Sequence, residues 1–437
     1  MNPYRGLILL LAYSAVTAFA ADAPAANPAG PVSSVVNQGL PSWLRFGGEE
    51  RSRMENLTGE GFKSVGDLYL LNRLRLDMEV RPRAWFTFHF EAQDARVFGQ
   101  NTLPAPASQK DPMSLRVGYV QVGTEEGPLM LRAGRQPLTF GEGRVLTDAV
   151  WSNVGRTFDS ARLTVHHGGL KVDFFSGAAV KMDTPCFDEP TPGEHFDGAY
   201  GSWQGLVPNA TLEPYVLWRM EQGYKAASGK IGSLSEKALG FRWVGKLPLR
   251  FDYGAEVTDE VGSSAGSQVR AWAGHATVGY TLPNQRYLPR FFTEVNRASG
   301  HANAKDGLQG DYDPLFGGAH DKYGLTDLLT WTNLEHWRTG FGWTVRRGVT
   351  AAVAYNSFWL ANPDDSLYVG GKSVARSANG AAGRYIGQEP DVQAFWALSR
   401  STQINVGYGR LFPGEFLVRT TAHVPYSIVF CNVAQRF

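Results

Sequence analysis

The sequence predicts an all-β fold: a transmembrane up-and-down antiparallel β-barrel of about 18 strands. Three observations support it. Apolar and polar side chains alternate along many segments, short and long connections alternate between those segments, and the chain ends on an aromatic residue. No apolar stretch reaches the roughly 20 residues that a membrane helix requires. The alternation predicts strands, because only a strand sends successive side chains to opposite faces.

The N-terminus has the features of a secretory signal peptide over residues 1–20. Arg5 supplies the positive charge, residues 6–16 the apolar segment, and Ala18-Phe19-Ala20 a cleavage site of small residues. Residues 21–41 are rich in Ala and Pro and are expected to form a flexible lead-in. The barrel is then predicted over residues 42–437. This organisation predicts a protein of the outer membrane of a Gram-negative bacterium.

The clearest strand pattern lies in residues 68–81. The even positions are almost all apolar, as at Leu74 and Leu76, while the odd positions carry charges such as Arg73 and Arg75. Similar alternation occurs in residues 84–93, 211–221 and 249–257. A soluble β-sandwich would also alternate in this way, so the pattern alone does not distinguish the two folds.

The connections between the strands favour the membrane barrel. Short links are predicted at 81–83, 124–128, 167–169, 208–209, 246–248, 282–288, 346–348 and 399–402. Longer links are predicted at 56–67, 97–112, 137–159, 182–197, 222–235, 259–267, 299–329, 361–389 and 413–424. An outer-membrane barrel has this asymmetry, with tight periplasmic turns and longer extracellular loops.

Aromatic residues support the same fold. The last segment alternates through Val429, Cys431 and Val433 and ends on Phe437, which resembles the assembly signal of bacterial outer-membrane barrels. Eight tryptophans lie in or beside predicted strands and are expected to form girdles at the two membrane interfaces. They are Trp151, Trp203, Trp218, Trp243, Trp337, Trp343, Trp359 and Trp396.

Charged side chains on the polar face of each strand would line a water-filled lumen, because charge on the lipid face is costly. This rule predicts a mixed wall with a slight excess of cations, suited to internal ion pairs and to an acidic solute. The predicted lumen residues are Arg73, Arg75, Asp77, Glu79, Glu91, Arg116, Arg132, Arg162, Arg219, Arg250, Asp252 and Arg338.

Five blocks of the sequence resemble the alginate export family of outer-membrane proteins. They are residues 134–143, 151–163, 313–327, 365–368 and 407–414, in the family's order. The resemblance implies a monomeric 18-stranded barrel whose arginine-rich constriction passes a polyuronate chain to the cell surface. It places Arg135, Arg156 and Asp159 near that constriction.

In a regular strand Arg135 would share the outward face with Leu131 and Ala133. It can line the lumen only if a bulge before Pro137 shifts the alternation of faces. Arg156 and Asp159 are expected in the third long loop, either folded into the pore or joined in a salt bridge that braces the loop. Two features depart from the family. The link at 399–402 is short where the alginate exporter has a long turn, and the lumen is less cationic.

Other classes of function have little support in the sequence. With 42 Lys+Arg against 41 Asp+Glu, a nucleic-acid-binding surface is not expected. The chain has no Walker loop or HExxH motif, and we predict no enzyme and no cofactor. The loop from His301 to His320 holds Asp306, Asp311 and Asp313, but their spacing matches no calcium-binding pattern, and no metal is predicted.

The sequence therefore predicts an outer-membrane channel for an anionic polysaccharide, alginate or a similar polyuronate. Two alternatives stay open: a diffusion porin for small organic acids or sugars, and a structural barrel or adhesin whose loops plug the lumen. The expected partners are the polysaccharide, outer-membrane lipid and lipopolysaccharide, and periplasmic export scaffold proteins. The protein is expected to be a monomer.

Overall fold

The computed structural model describes residues 31–437 apart from 102–104, 183–186, 284–286, 304 and 371. The predicted signal peptide and the first part of the lead-in, residues 21–30, lie outside the described residues. Within the described ranges, every helix is too short or too polar to cross a membrane.

Eighteen antiparallel strands form one closed barrel, as predicted. The first nine strands are β1 Leu44–Thr58, β2 Gly66–Arg83, β3 Phe86–Phe98, β4 Asp111–Gly123, β5 Leu129–Gln136, β6 Phe158–His167, β7 Leu170–Lys181, β8 Glu194–Gln204 and β9 Ala210–Lys225. The other nine are β10 Ile231–Lys246, β11 Phe251–Ser264, β12 Ser267–Thr281, β13 Arg290–Ala298, β14 Leu334–Arg346, β15 Val349–Leu360, β16 Tyr385–Ala397, β17 Thr402–Pro413 and β18 Tyr426–Arg436.

Strand β18 pairs with β1 and closes the barrel. The terminal Phe437 extends this pairing, because its backbone exchanges two hydrogen bonds of 3.0 Å with Gly48. The predicted C-terminal strand is therefore confirmed. Closure leaves the sheet without a free edge, as a strand protein in lipid requires.

Shorter elements lie outside the wall. The helices are α1 Pro31–Gln38 and α2 Glu415–Thr420, and single 3₁₀ turns occupy Glu60–Phe62, Pro248–Arg250 and Ala378–Gly380. The short strands are Glu189–Pro190, Leu308–Gln309 and the loop hairpin Ser366–Val369 with Lys372–Arg376.

The end of the predicted flexible lead-in, residues 31–38, is a helix, α1. The Asn37 side chain donates to the backbone oxygen of Phe46 (2.8 Å) and accepts from its backbone nitrogen (2.9 Å). Residues 31–38 therefore form a helix docked on β1, which the Ala- and Pro-rich composition did not predict.

The alternation of short and long connections is followed in part. The predicted long loop 222–235 shortens to residues 226–230, as short as the turn 124–128, whereas the predicted short link 282–288 extends over residues 282–289. The predicted loop 259–267 is a two-residue hairpin turn at Ala265 and Gly266, both with positive φ (46° and 91°). Such a pair of left-handed residues matches the twist of two adjacent strands and joins them directly. The rest of that predicted loop continues strands β11 and β12.

The two faces of the wall follow the predicted parity. In β2, Leu74 and Leu76 are exposed on the outer surface while Arg73 and Arg75 are buried on the inner one. Among the predicted girdle residues, Trp203, Trp218, Trp243, Trp337 and Trp396 are exposed on the outer surface. Trp151 is an exception, since it lies in a loop inside the barrel, stacked on His320 with 3.7 Å between ring centroids.

Two long loops fill much of the interior. Residues 137–157, here called loop A, and residues 299–333, here called loop B, contribute buried apolar side chains such as Leu146, Phe316 and Trp331. These side chains pack against inward residues of the wall, including Phe158 and Phe358. The core of the protein therefore lies between the wall and its own loops.

Candidate functional site: a constriction inside the barrel

Loops A and B meet inside the barrel through backbone hydrogen bonds. Leu146 and Phe316 form a parallel bridge. The Phe316 nitrogen donates to the Val145 oxygen (3.0 Å), and the Thr147 nitrogen donates to the Phe316 oxygen (3.1 Å). The Gly318 nitrogen donates to the Gly143 oxygen at 2.9 Å. The paired loops form a constriction, because they cross a lumen that eighteen strands would otherwise leave open.

Arginines of β1 bind the backbone of loop A. Arg51 donates to the carbonyl oxygens of Val150 (2.9 Å) and Ser152 (2.9 Å). Arg53 donates to the Trp151 carbonyl at 2.5 Å, and its guanidinium lies 3.8 Å from the centroid of the Trp151 ring. Charge-assisted bonds of this kind are roughly twice as strong as neutral ones. The loop is therefore fixed to the wall by its own carbonyl groups.

A second group of arginines continues along β2 and β4. Arg73 pairs with Glu49 at 2.6 Å. Glu91 lies between two guanidinium groups, 3.5 Å from Arg75 and 2.9 Å from Arg116. Arg73, Arg75 and Arg116 are buried on the inner face of the wall, the face that the alternation of their strands predicts. Their charges are largely neutralised by partners within the wall.

The tip of loop A is attached to the opposite side of the barrel. Arg144 contacts Glu294 of β13 (3.1 Å), Asn296 (3.0 Å) and the hydroxyl group of Tyr323 in loop B (3.3 Å). Burial alone would raise the pKa of Glu142, but the charges of Arg144, His275 and Arg242 hold it well below its usual range. Glu142 therefore stays ionised and anchors the loop.

Lys322 of loop B differs from these paired cations. It is only 9% exposed, and no hydrogen bond or ion pair of its ammonium group occurs within the described part of the chain. Burial, followed by the charge of Arg144, lowers the pKa of Lys322. Lys322 lines a polar cavity of about 120 Å³ between the constriction and the wall.

The lining of this cavity combines polar and apolar side chains. The polar ones are Glu49, Arg51, Thr147, His320, Gln403, Asn405 and Asn432, and the apolar ones include Val150, Trp151 and Phe395. His320 is held by Asp327, with 2.6 Å between Nδ1 and the carboxylate oxygen. Amide side chains beside a buried ammonium group offer hydrogen bonds to hydroxyl groups and a counter-charge to a carboxylate. The cavity can therefore receive an anionic, hydroxylated solute.

Further predicted lumen residues occupy the inner wall in ion pairs. Arg219 contacts Glu221 (2.7 Å) and Asp313 of loop B (3.2 Å). Four more predicted cations or anions are paired as follows: Arg162 with Asp173 at 2.9 Å, Arg338 with Asp321 at 3.0 Å, Asp252 with Arg290 at 2.5 Å, and Arg132 with Glu125. Glu79 pairs with Arg81 at 3.1 Å and Asp77 faces Gly47 of β1.

The structure corrects the predicted placement of Arg135 and Asp159. The pairing of β5 with both neighbours is continuous to its end, so the expected bulge is absent. Arg135 keeps the outward parity of Leu131 and binds Asp159 through two hydrogen bonds of 2.8 and 2.9 Å. This pair lies on the outer surface of the barrel and not in the constriction.

Arg156 lies in loop A, which folds into the lumen, one of the two arrangements expected for it. It donates to the backbone oxygens of Thr147 (3.3 Å) and Phe316 and forms no salt bridge with Asp159. The prediction for a further residue is wrong. Arg250 was predicted within a strand, but it belongs to the turn Pro248–Arg250 with φ of 67° and is exposed. Strand β11 begins one residue later, so Arg250 lines no part of the constriction.

Several functional residues were not predicted from the sequence. Arg51 and Arg53 belong to β1, where the alternation of Glu49, Arg51, Arg53 and Glu55 would have identified an inner face. Arg144 and Lys322 have no such periodic signal, because both lie in irregular loops. Only the folding of those loops into the lumen brings them to the site.

No three His, Cys, Asp or Glu side chains converge on a metal site in the described ranges. In the loop singled out above, the carboxylates have separate partners. Asp311 accepts from the His301 backbone nitrogen at 2.7 Å, Asp306 contacts the His301 ring at 2.9 Å, and Asp313 contacts Arg219.

A model of the alginate export family matches residues 42–429. The chain belongs to the alginate export family. No curated protein matches it in sequence. As a member of this family with an 18-stranded barrel, it is an outer-membrane channel, with its short turns on the periplasmic side and its long loops outside the cell.

Solved channels of Pseudomonas aeruginosa share the fold of this family member at low sequence identity. OpdK, solved with vanillate, has a TM-score of 0.60 and 10% identity, covering 90% of this chain and 98% of its own. OccK11 (OpdR) has a TM-score of 0.59 and 9% identity, and the match covers 90% of this chain and 96% of OccK11. OccK8 (OprE) has a TM-score of 0.59 and 11% identity, covering 90% and 98%.

Proposed function

We propose that this channel passes an anionic polyuronate, alginate or a similar polymer, across the outer membrane. The observation that carries the proposal is the unpaired Lys322 in a polar cavity beside the constriction of a barrel from the alginate export family. A uronate carboxylate would approach Lys322 while hydroxyl groups contact Asn405 and Asn432. No catalytic activity is assigned to the chain.

The charge arrangement supports passage and not tight binding. Arg51 and Arg53 donate to carbonyl groups of loop A, Arg53 also pairs with Glu55 at 2.6 Å, and Arg75 and Arg116 share Glu91. A solute would therefore meet one free ammonium group and a positive background, which favours entry and permits release. Outward direction, a monomeric channel and delivery by periplasmic scaffold proteins belong to the same proposal.

A second candidate function is diffusion of small organic acids. The small volume of the cavity, about 120 Å³ beside the paired loops, favours it, because a small acid fits such a space more readily than a polymer chain. The short turn at residues 398–401 is also unlike the long one of the alginate exporter. Among the channels that share the fold, OpdK was solved with vanillate, a small aromatic acid.

Block of single-channel current in planar bilayers distinguishes the two functions. We expect oligouronates to block the current at concentrations that fall as the oligomer lengthens, while the monomer and a neutral oligosaccharide have little effect. Block by the monomer as strong as by the oligomer would favour the small-acid channel. A barrel that carries no current would contradict both functions and support a plugged structural role.

The variant Lys322→Glu tests the site itself. Reversing this charge should raise the blocking concentration of the oligouronate by about tenfold, the equivalent of one lost ionic contact of about 1.4 kcal/mol. The matched control is Lys230→Glu, which makes the same change on an exposed residue of the loop between β9 and β10. Equal block of both variants would remove Lys322 from the path.

A further inference from the structure

The outer surface of β10 to β13 carries three exposed cations near the extracellular loops: Lys237, Arg270 and Arg297. All three occupy outward positions of their strands. Lys237 pairs in register with Val261 of β11, which pairs in turn with Arg270 of β12. Two strand spacings therefore separate Lys237 from Arg270, a distance of about 10 Å. We call these three residues the outer basic patch.

The outer basic patch lacks the ion pairs that neutralise other cations of the outer rim. Within the described residues, none of its three side chains has a salt bridge, and Arg270 contacts only the side chain of Gln268. The paired rim cations are Arg96 with Asp94 at 2.8 Å, Arg135 with Asp159 at 2.8 Å, Arg384 with Glu335, and Arg419 with Glu415 at 2.7 Å.

Two carboxylates share the face with the patch, and one of them is already paired. Asp259 of β11 points outward opposite Trp272, and Glu335 of β14 lies opposite Arg297 in register but pairs with Arg384. The three cations therefore outnumber the nearby free carboxylate, and the surface keeps a positive charge.

Aromatic rings fix the height of the patch on the barrel. Trp272 lies two residues below Arg270 and is 44% exposed, and the Arg297 guanidinium is 5.8 Å from its ring centroid. The Lys237 ammonium is 4.8 Å from the Trp218 ring. Below Trp272, the outward residues of β12 are small or apolar down to Tyr280. Lys237 and Arg270 thus lie just beyond the apolar band, and Arg297, opposite Gly274 of β12, lies at its outer boundary, near the level of the outer headgroups.

We propose that the outer basic patch binds phosphate groups of lipopolysaccharide in the outer leaflet. Unpaired Lys and Arg side chains at a membrane interface attract anionic headgroups, and the planar guanidinium group matches two phosphate oxygens. Trp218 lies beside Lys237 on the neighbouring strand, and the Trp272 ring contacts Arg297, so both rings limit the positions of the cations on the outer surface. The patch faces away from the lumen, so this proposal is independent of the solute that the channel carries.

Retention of lipopolysaccharide by the purified full-length barrel tests the proposal. The probes are purified lipopolysaccharide with its lipid phosphates intact and the same material after enzymatic dephosphorylation. We expect the intact form to bind at least about tenfold more tightly, since each cation near a headgroup contributes on the order of 1 kcal/mol. The triple variant Lys237→Gln, Arg270→Gln, Arg297→Gln should lose this difference, while excess inorganic phosphate should reduce binding only to the wild type.

The matched control removes three paired rim cations in the variant Arg96→Gln, Arg384→Gln, Arg419→Gln. Heat-modifiable migration on gels establishes that each variant forms a folded barrel. The proposal is supported if the control variant still binds phosphorylated lipopolysaccharide more tightly than the dephosphorylated form, while the patch variant binds both forms equally. Equal binding of both forms by the wild type, or equal loss in the control, would overturn it.

Discussion

Backbone carbonyl groups are the main partners of the arginines at the constriction. Arg51, Arg53 and Arg156 each donate to carbonyl oxygens of loop A or loop B. Their role in the structure is to hold the two loops across the lumen, and their charge acts on the solute from a fixed position. Lys322 has no such partner in the described part of the chain, so solute contact and loop support are assigned to different residues.

Removal of Arg156 should widen the channel. In the variant Arg156→Ala, the bonds to Thr147 and Phe316 are lost, which weakens the junction of loops A and B by about 1.5–3 kcal/mol. We expect a higher single-channel conductance with more frequent fluctuation. The matched control is Arg135→Ala, whose arginine pairs with Asp159 on the outer surface. A larger effect of the control would contradict the assignment of Arg156 to the constriction.

A buried pair of acids should make the outer loops sensitive to pH. Burial, followed by the nearby Asp365, raises the pKa of Asp311 in loop B to about 8. A carboxyl group with a raised pKa stabilises the folded loop when protonated. That stabilisation is fully present below about pH 4, which is the pKa of an aspartic acid in an unfolded chain. It is lost as the pH rises to about 8, the pKa of Asp311 in the folded loop. The protection of amides in residues 299–333 from hydrogen exchange, relative to the intrinsic rate of an unfolded chain at the same pH, should therefore be lower at pH 9 than at pH 5.

The variant Asp311→Asn provides the control for this pH dependence. The amide keeps the shape of the protonated acid and removes the titration, so the protection factors of loop B should differ little between the two pH values. Equal protection factors at both pH values in the wild type, or a variant whose protection falls as much as that of the wild type, would show that the pair of acids does not hold the loop.

Strand positions were predictable at the scale of single elements, and loop positions were not. A period of two fixes which face of β2 carries Arg73 and Arg75, because one face must meet lipid. The same rule would have found Arg51. No local rule places Arg144 or Lys322, since their positions depend on contacts with wall residues that are distant in sequence, such as Glu294.

The failed prediction for Arg135 has the same physical basis. The resemblance to the family suggested an inward position, whereas the parity of β5 indicated an outward one, and the continuous pairing of β5 agrees with the parity. A bulge would have left backbone groups unpaired inside a membrane wall. No bulge is needed, because the carboxylate of Asp159 neutralises the charge of Arg135 on the outer surface.

Charge on the lipid face should destabilise the barrel. The variant Leu74→Arg introduces a cation on the outer surface of β2, and we expect a loss of about 2–4 kcal/mol in the free energy of unfolding in vesicles, measured by guanidinium titration. The matched variant Gln403→Arg adds the same group to the water-facing cavity and should cost less than half as much. Equal losses would indicate that the two faces are assigned wrongly.

The net charge of the whole molecule does not describe its selectivity. Cations and anions are almost balanced over the chain, at 42 against 41, and most lumen charges form pairs within the wall. Selectivity therefore depends on the few unneutralised groups at the narrowest point, where the field acts over a short distance in a confined space. Closure of the barrel and the junction of loops A and B bring these groups together.

The reversal potential of the open channel tests this account most directly. A single full-length barrel in a planar bilayer, under a tenfold gradient of potassium chloride, should show a stable water-filled conductance whose reversal potential lies toward that of chloride. Lys322→Glu should move the potential toward that of potassium. A wild-type channel that is selective for potassium, or a folded barrel without conductance, would contradict the account.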